Sequence, residues 1–178
     1  MKYRDRLKKQ IIDSGANVVF TYVAHWIIIN RLKKSYRKNK LWQIALMSFS
    51  TTGFVTSLVA EISWLGWAGS LVSAIALMLN LYMLNFNVVD EIKQHTDAAN
   101  ELWYARELYK SLLTDFDVLS DSEIREKRNK LIEVVNQINK GYLGTDEESF
   151  KEAQKKIGEY KFDDGESENI MNIRSDAQ

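Results

Sequence analysis

Two long apolar stretches without a charged residue constrain this chain more than any other feature of its sequence. The first runs over residues 41–60 and the second over residues 65–86. A bilayer core about 30 Å thick needs roughly 20 apolar helical residues, because an α-helix rises about 1.5 Å per residue. Both stretches reach that length, whereas helices of soluble proteins rarely stay free of charge on every side. The sequence therefore predicts two transmembrane helices.

The short connection between the two stretches predicts a hairpin. Only residues 61–64 separate them, so the two helices must run antiparallel. The connection has no basic residue, whereas six basic residues precede the first span: Arg31, Lys33, Lys34, Arg37, Lys38 and Lys40. Because Lys and Arg accumulate on the cytoplasmic side of membrane spans, we expect both termini in the cytoplasm and the turn outside.

The net charge of zero conceals a strong polarity along the chain. Residues 1–40 carry a net charge of +9, residues 41–86 a net charge of −1, and residues 87–178 a net charge of −8. A basic segment could bind nucleic acid, but its position beside a predicted span makes lipid headgroups the simpler partner. We therefore expect membrane lipids, and no nucleic acid, to be bound.

Small and hydroxylated residues mark candidate pore-lining or inter-helix positions in the spans. At about 100° per residue, the hydroxyls of the first span fall on two opposite faces, and the second span has one small and polar stripe. Such residues let helices pack closely, or they line a water-filled path in an oligomer. A lone hairpin covers one polar face per helix, so we expect self-association. The candidate positions are Ser48, Thr52, Thr56, Gly69, Ser73 and Asn80.

The turn of the hairpin carries one acidic residue, Glu61. In an oligomer, a ring of these carboxylates would lie at a pore mouth. A solvated loop carboxylate is the simpler alternative.

The remaining segments predict an all-α membrane protein with a cytoplasmic helical bundle. Residues 1–40 form a basic helix whose apolar part is amphipathic and interfacial, with a third transmembrane helix as the alternative. Residues 87–160 form the helical region, with one helix continuing from about 65 to about 116. Ser120 and Glu123 then form a capping box that opens the next helix. Residues 161–178 are acidic and lack periodicity, which predicts a disordered tail.

The sequence offers little material for catalysis. It contains no cysteine, and it shows no glycine-rich phosphate loop, no metal-ligand spacing and no nucleophile motif. His95 near Asp97 is better explained as part of a solvated helix face than as a catalytic group. His25 is better explained as a packing or interfacial residue than as a ligand or pH switch. We therefore expect no enzyme activity, no cofactor and no metal.

Three features together resemble the SLATT family of bacterial two-transmembrane effectors of antiphage and conflict systems. They are the helix before the spans with His25 in its middle, the close hairpin at 41–86, and the helix after the spans. In that last helix, His95 is followed by an aromatic and basic series, Trp103, Arg106 and Tyr109. The resemblance covers about residues 12–116 and leaves the helices beyond it unexplained.

The resemblance implies a multi-pass protein of the bacterial inner membrane that forms a pore or disrupts the membrane during abortive infection. It also implies a partner sensor or signalling protein of the same defence system, often one that makes or detects a nucleotide. The alternative function is a non-conducting membrane adaptor, which would tether or regulate a soluble partner through the cytoplasmic helices.

Overall fold

Every secondary-structure element among the described residues of the computed structural model is an α-helix. The described residues are 3–60, 63–85 and 87–159. Glu61 and the predicted tail at 161–178 lie outside them. The helices are α1 (Tyr3–Ala60), α2 (Ser63–Asn85), α3 (Val88–Thr114), α4 (Asp121–Gly141) and α5 (Glu147–Glu159). The all-α fold class is confirmed for this part of the chain.

The chain divides into two compact units. Met1–Asn30 and Ile92–Gln178 form one, which we call the bundle unit, and Arg31–Glu91 form the other, which we call the hairpin unit. Helices α1 and α3 contribute residues to both. The division therefore falls about ten residues before the predicted start of the first span and five residues after the predicted end of the second.

The bundle unit is built around the N-terminal part of α1. From Val18 to Ile29, every side chain is buried or half-buried, and Ile11, Ala24 and Ile29 have no exposed surface. An interfacial amphipathic helix would keep one face in contact with headgroups or water. This segment instead lies in the protein core, because its β-branched residues occur on all sides of the helix and the other helices cover them.

The apolar faces of α3, α4 and α5 complete this core, as their spacing of three and four residues predicts. The buried apolar residues are Ala98, Ala99, Leu102, Ala105, Tyr109 and Leu112 on α3, Ile124, Leu131 and Ile138 on α4, and Ala153 and Ile157 on α5. Phe20 of α1 contacts Phe150 of α5, with 6.3 Å between ring centroids. Full burial of each large apolar side chain contributes roughly 1.5–3 kcal/mol.

The prediction of one helix from about 65 to about 116 is wrong. Helix α2 ends at Asn85 and α3 begins at Val88. Asn87 begins the new helix: its side-chain oxygen accepts from the amide of Asp90 at 3.3 Å, and its carbonyl accepts from Glu91 at 3.0 Å. Asparagine is a strong N-cap residue, and acids in the first turn favour the positive end of the helix dipole. These signals substitute for the proline or glycine that the segment lacks.

The junction between α3 and α4 is held from both sides. The Ser120 hydroxyl accepts from the Glu123 amide at 3.3 Å, and the Glu123 carboxylate accepts from the Ser120 amide at 2.9 Å, so the predicted capping box is confirmed. Arg4 of α1 donates to the carbonyls of Phe116 and Leu119 and pairs with Asp121 at 2.9 Å. It thereby satisfies two carbonyls of the connection between α3 and α4, which belong to neither helix.

The hairpin unit has the opposite distribution of apolar side chains. Large apolar residues there are exposed, among them Phe49 (74%), Trp67 (80%) and Met78 (70%). Within the described residues, the helical stretches Tyr3–Thr52 and Gly66–Thr114 each hold a window long and apolar enough to cross a membrane. That window is 61% buried in the first stretch and 6% buried in the second. A buried window is typical of a core helix, and an exposed one of a helix that meets lipid.

We expect Ser120→Ala to loosen the first turn of α4. The change removes the capping hydroxyl and costs about 1 kcal/mol, which corresponds to about fivefold faster amide exchange in that turn. Hydrogen–deuterium exchange of peptides covering 120–126 would measure it. Ser122→Ala, in the same turn but without a capping role, should leave the exchange unchanged. Equal exchange in both variants would contradict the role of the cap.

Candidate functional site

The residues that carried the family resemblance come together in the bundle unit. His25 lies on α1, and His95, Trp103, Arg106 and Tyr109 follow one another along α3. They share the face of α3 that packs on α1, since positions three and four apart lie above one another on a helix. The sequence pattern is therefore the signature of one helix–helix interface.

A histidine pair joins α1 to α3. The Nδ1 atoms of His25 and His95 are 2.8 Å apart, and the two rings are only 4% and 3% exposed. At this distance one ring nitrogen donates and the other accepts, so one proton lies between the two Nδ1 atoms. Protonation of the accepting Nδ1 would break this hydrogen bond and place a positive charge in the core.

The environment of the pair keeps His25 neutral. Burial, and then the proximity of His95, lower the pKa of His25 from 6.5 to about 4. His25 is therefore neutral near pH 7. The two imidazoles join α1 to α3 through one hydrogen bond.

Arg106 is a buried cation with an aromatic partner. Its side chain is 3% exposed, and its guanidinium lies 4.2 Å from the centroid of the Trp103 ring. The same guanidinium pairs with Glu107, while burial lowers the pKa of Arg106. Tyr22 of α1 packs on Trp103 at 5.4 Å between centroids. Arginine remains charged here, because stacking on a ring and one carboxylate compensate for part of the lost hydration.

Tyr109 continues the interface toward the other end of the bundle. It is 2% exposed, burial raises its pKa, and its hydrogen bond with Ser14 of α1 opposes that rise. The interface therefore contains several buried polar groups. The His25–His95 and Tyr109–Ser14 hydrogen bonds cross it, whereas Arg106 pairs with Trp103 and Glu107 of its own helix. Buried networks of this kind favour one arrangement of the helices over alternatives, because a slipped register would leave polar groups unsatisfied.

In the hairpin unit, a different residue from those expected makes the polar contact between α1 and α2. The Ser50 hydroxyl donates to the carbonyl of Gly69 at 3.3 Å and also contacts the hydroxyl of Ser73. Gly69 is buried, which allows the two helices to approach closely there. Two of the predicted positions, Gly69 and Ser73, therefore lie at the helix–helix contact.

The other predicted hydroxyls of α1 face away from α2. Ser48, Thr52 and Thr56 are exposed. The Ser48 hydroxyl donates to the carbonyl of Ile44 at 2.9 Å, and that of Thr52 to the carbonyl of Ser48 at 2.9 Å. Donation to the carbonyl four residues earlier lets a hydroxyl satisfy its donor inside an apolar surrounding. These hydroxyls therefore remain on the outer surface of the hairpin unit.

Asn80 lines a cleft between α1 and α2. The cleft has a volume of about 290 Å³, and its lining residues are Met47, Ser50, Thr51, Ser73, Ala76, Leu77 and Asn80. Asn80 itself is half-buried. The six candidate residues of the spans thus fall into three groups. Gly69 and Ser73 lie at the contact between α1 and α2, Asn80 lies in the cleft, and Ser48, Thr52 and Thr56 lie on the outer surface.

Sequence reasoning missed two residues that position these elements, Ser50 and Arg4. Ser50 lies on one of the two opposite hydroxyl faces of the first span, and periodicity alone does not show which of these faces meets α2. Arg4 belongs to the basic segment 1–40, for which the sequence predicts contact with lipid headgroups. Nothing in the sequence indicates that Arg4 pairs with Asp121. Among the described residues, no group of three or more His, Cys, Asp or Glu side chains could hold a metal ion.

We expect the bundle unit to lose stability as the pH falls from 7 to 5. The pKa of His25 is lower in the folded state (about 4) than in the unfolded state (6.5), so acid protonates the unfolded chain first. Stability is therefore fully present above pH 6.5, and about 2 kcal/mol is lost by pH 5. Chemical denaturation in nanodiscs at both pH values, followed by tryptophan fluorescence, would measure the loss.

His25→Gln is the control for this prediction. Glutamine keeps a hydrogen-bonding group opposite His95 but does not titrate, so the loss between pH 7 and pH 5 should shrink. The same loss in His25→Gln as in the wild type would show that other groups cause the pH dependence.

Comparison with known proteins places these features in one family. The matching family model is described as "SMODS and SLOG-associating 2TM effector domain family 4" and covers residues 7–166. It therefore includes α4 and α5, which the sequence resemblance had left outside. No curated protein and no solved structure matches the chain. Since the match extends over most of the sequence, the chain belongs to the SLATT family, in its fourth group of two-transmembrane effector domains.

Proposed function

We propose that this protein is an oligomeric effector of the bacterial inner membrane that permeabilises the membrane when an antiphage system is activated. The spans at 41–60 and 65–86 form the membrane hairpin, and several copies assemble around a pore. Both termini lie in the cytoplasm, because the basic residues at 31–40 precede the first span. Arrest or death of the infected cell would then limit the spread of phage.

One observation carries this proposal: the hairpin unit presents apolar side chains outward while polar groups occur at membrane depth. Phe49 and Met78 are exposed as in a helix that meets lipid, yet Ser48 and Thr52 lie on the same outer surface. An outer face that is entirely apolar would suffice for anchoring alone. Hydroxyls on that face favour contact with another copy or with water, because each oxygen, having donated its proton within α1, can still accept a hydrogen bond that lipid tails do not offer.

The bundle unit supplies the contact with the rest of the defence system. The family description names association with SMODS and SLOG, so a sensor or signalling protein of that kind is the proposed partner. The proposal assigns the chain itself no catalytic step and no cofactor. The partner would act on the packing of the bundle unit, where helix α1, which also contributes to the hairpin unit, is the central element.

A membrane adaptor is the second candidate, and one feature favours it. A largely apolar cleft of about 220 Å³ lies between α3 and α4, with Leu108, Leu112 and Leu131 among its lining residues and Lys127 and Lys130 beside them. An adaptor would use such a surface to hold a soluble protein and would need no conducting path. Its activity would then depend on the bundle unit and tolerate changes in the spans.

Leakage of ions and dye from liposomes that contain the purified protein tests the two functions. If the protein forms a pore, Asn80→Leu and Thr52→Leu should reduce leakage by at least about fivefold, since each removes a polar contact of about 1 kcal/mol at membrane depth. Val55→Leu and Met78→Leu change exposed apolar residues of the same helices and should leak as the wild type does.

Two outcomes would contradict the pore. Liposomes could stay tight both for the protein alone and with the partner sensor added. Alternatively, Asn80→Leu and Thr52→Leu could leak like the wild type. Tight liposomes combined with loss of phage protection in Lys127→Glu, an exposed residue beside the cleft between α3 and α4, would support the adaptor.

A further inference from the structure

The cleft between α1 and α2 presents a polar group that no described residue of the hairpin unit satisfies. Of its four polar residues, Ser50 and Ser73 contact each other, and the Thr51 hydroxyl donates to the carbonyl of Met47 at 2.9 Å. Within the described part of the chain, the Asn80 carboxamide makes no hydrogen bond. Its amide group offers two N–H donors and its oxygen one acceptor.

In hydrocarbon, donors without acceptors are costly, and helices in membranes satisfy them through neighbouring helices. Lipid tails offer no acceptor for Asn80. An acceptor must therefore come from a group that can lie at the same depth in the membrane.

The outward face of α1 offers acceptors of this kind. Ser48 and Thr52 are exposed, and each hydroxyl donates its hydrogen bond to a carbonyl of its own helix. Each hydroxyl oxygen can still accept a hydrogen bond. Donors on Asn80 and acceptors on this face are thus chemically complementary.

Depth and direction identify which acceptor can reach Asn80. Ser48 lies seven residues inside the predicted start of the first span, and Asn80 lies six residues inside the predicted end of the second. At about 1.5 Å per residue, both are about 10 Å from the same side of the membrane. Ser48 is two residues from Ser50, which places it about 200° away from the contact with α2. Ser48 is not among the residues that line the cleft, and among the described residues it makes no hydrogen bond to Asn80 of its own chain.

We propose that Asn80 binds Ser48 of a second copy of this chain, with the outward face of α1 from one copy seated over the cleft of the next. The contact uses two different surfaces, so each copy has one of each still available. Repetition of such a head-to-tail contact around an axis closes a ring. The proposal rests on the oligomeric assembly proposed above and names the residues that form its interface.

Disulfide cross-linking tests the contact directly, because the chain contains no cysteine. Ser48→Cys and Asn80→Cys are introduced on separate full-length chains with tags of different length and co-expressed in membranes. Any disulfide is then intermolecular. Met78→Cys, paired with Ser48→Cys, is the matched control: Met78 lies near the depth of Asn80 but is 70% exposed on the other side of α2. A disulfide needs Cα atoms within about 7 Å.

We expect about tenfold more mixed dimer from Ser48→Cys with Asn80→Cys than from Ser48→Cys with Met78→Cys, since only the first pair meets the distance requirement. Equal amounts from both pairs would overturn the proposed contact. So would a stronger band from Asn80→Cys with itself, which indicates a two-fold contact between clefts.

The mass of the unmodified protein in nanodiscs separates this proposal from the proposed function. An oligomer without the mixed disulfide overturns the contact and leaves the oligomeric effector intact. A monomer in membranes, with and without the partner sensor, overturns both.

Discussion

The apolar surface of α1 must leave water along its whole length, and the chain meets this requirement in two different ways. Between Leu7 and Ile29, the protein itself covers the apolar side chains with α3, α4 and α5. Beyond Leu41, exposed residues such as Trp42 and Phe49 have no protein cover in the described structure. Burial of apolar surface is the dominant stabilising contribution in folding, so the second half of the helix requires lipid or another copy of the chain.

This division explains why the bundle unit tolerates buried polar groups. His25, His95 and Arg106 are almost fully buried in an otherwise apolar core. Each polar group has a neighbour that satisfies it, namely the other imidazole, or Trp103 and Glu107. The pair of imidazoles contributes less to stability than to the choice of one helix arrangement. In any other register of α1 against α3, each imidazole would be buried without its hydrogen-bond partner.

The hairpin unit uses polar groups differently. Ser50, Gly69 and Ser73 bring α1 and α2 together, whereas Ser48 and Thr52 satisfy their donors within α1 and stay outside. A hydroxyl that bonds to its own helix is cheap in hydrocarbon and remains able to accept. The two faces of the first span thus differ: one contacts α2, and the other remains exposed.

The sequence by itself determined the helical class, the start of α4 at its capping box, the packing faces of α3, α4 and α5, and the family resemblance. Local signals decide these features, because caps act within one turn and apolar periodicity repeats along one helix. Tertiary structure alone decided that residues 18–29 lie in a core, that His25 meets His95 across 70 residues, and that Ser50 rather than Ser48 faces α2. Periodicity gives the faces of a helix but not their partners, since a partner depends on contacts between residues far apart in the chain.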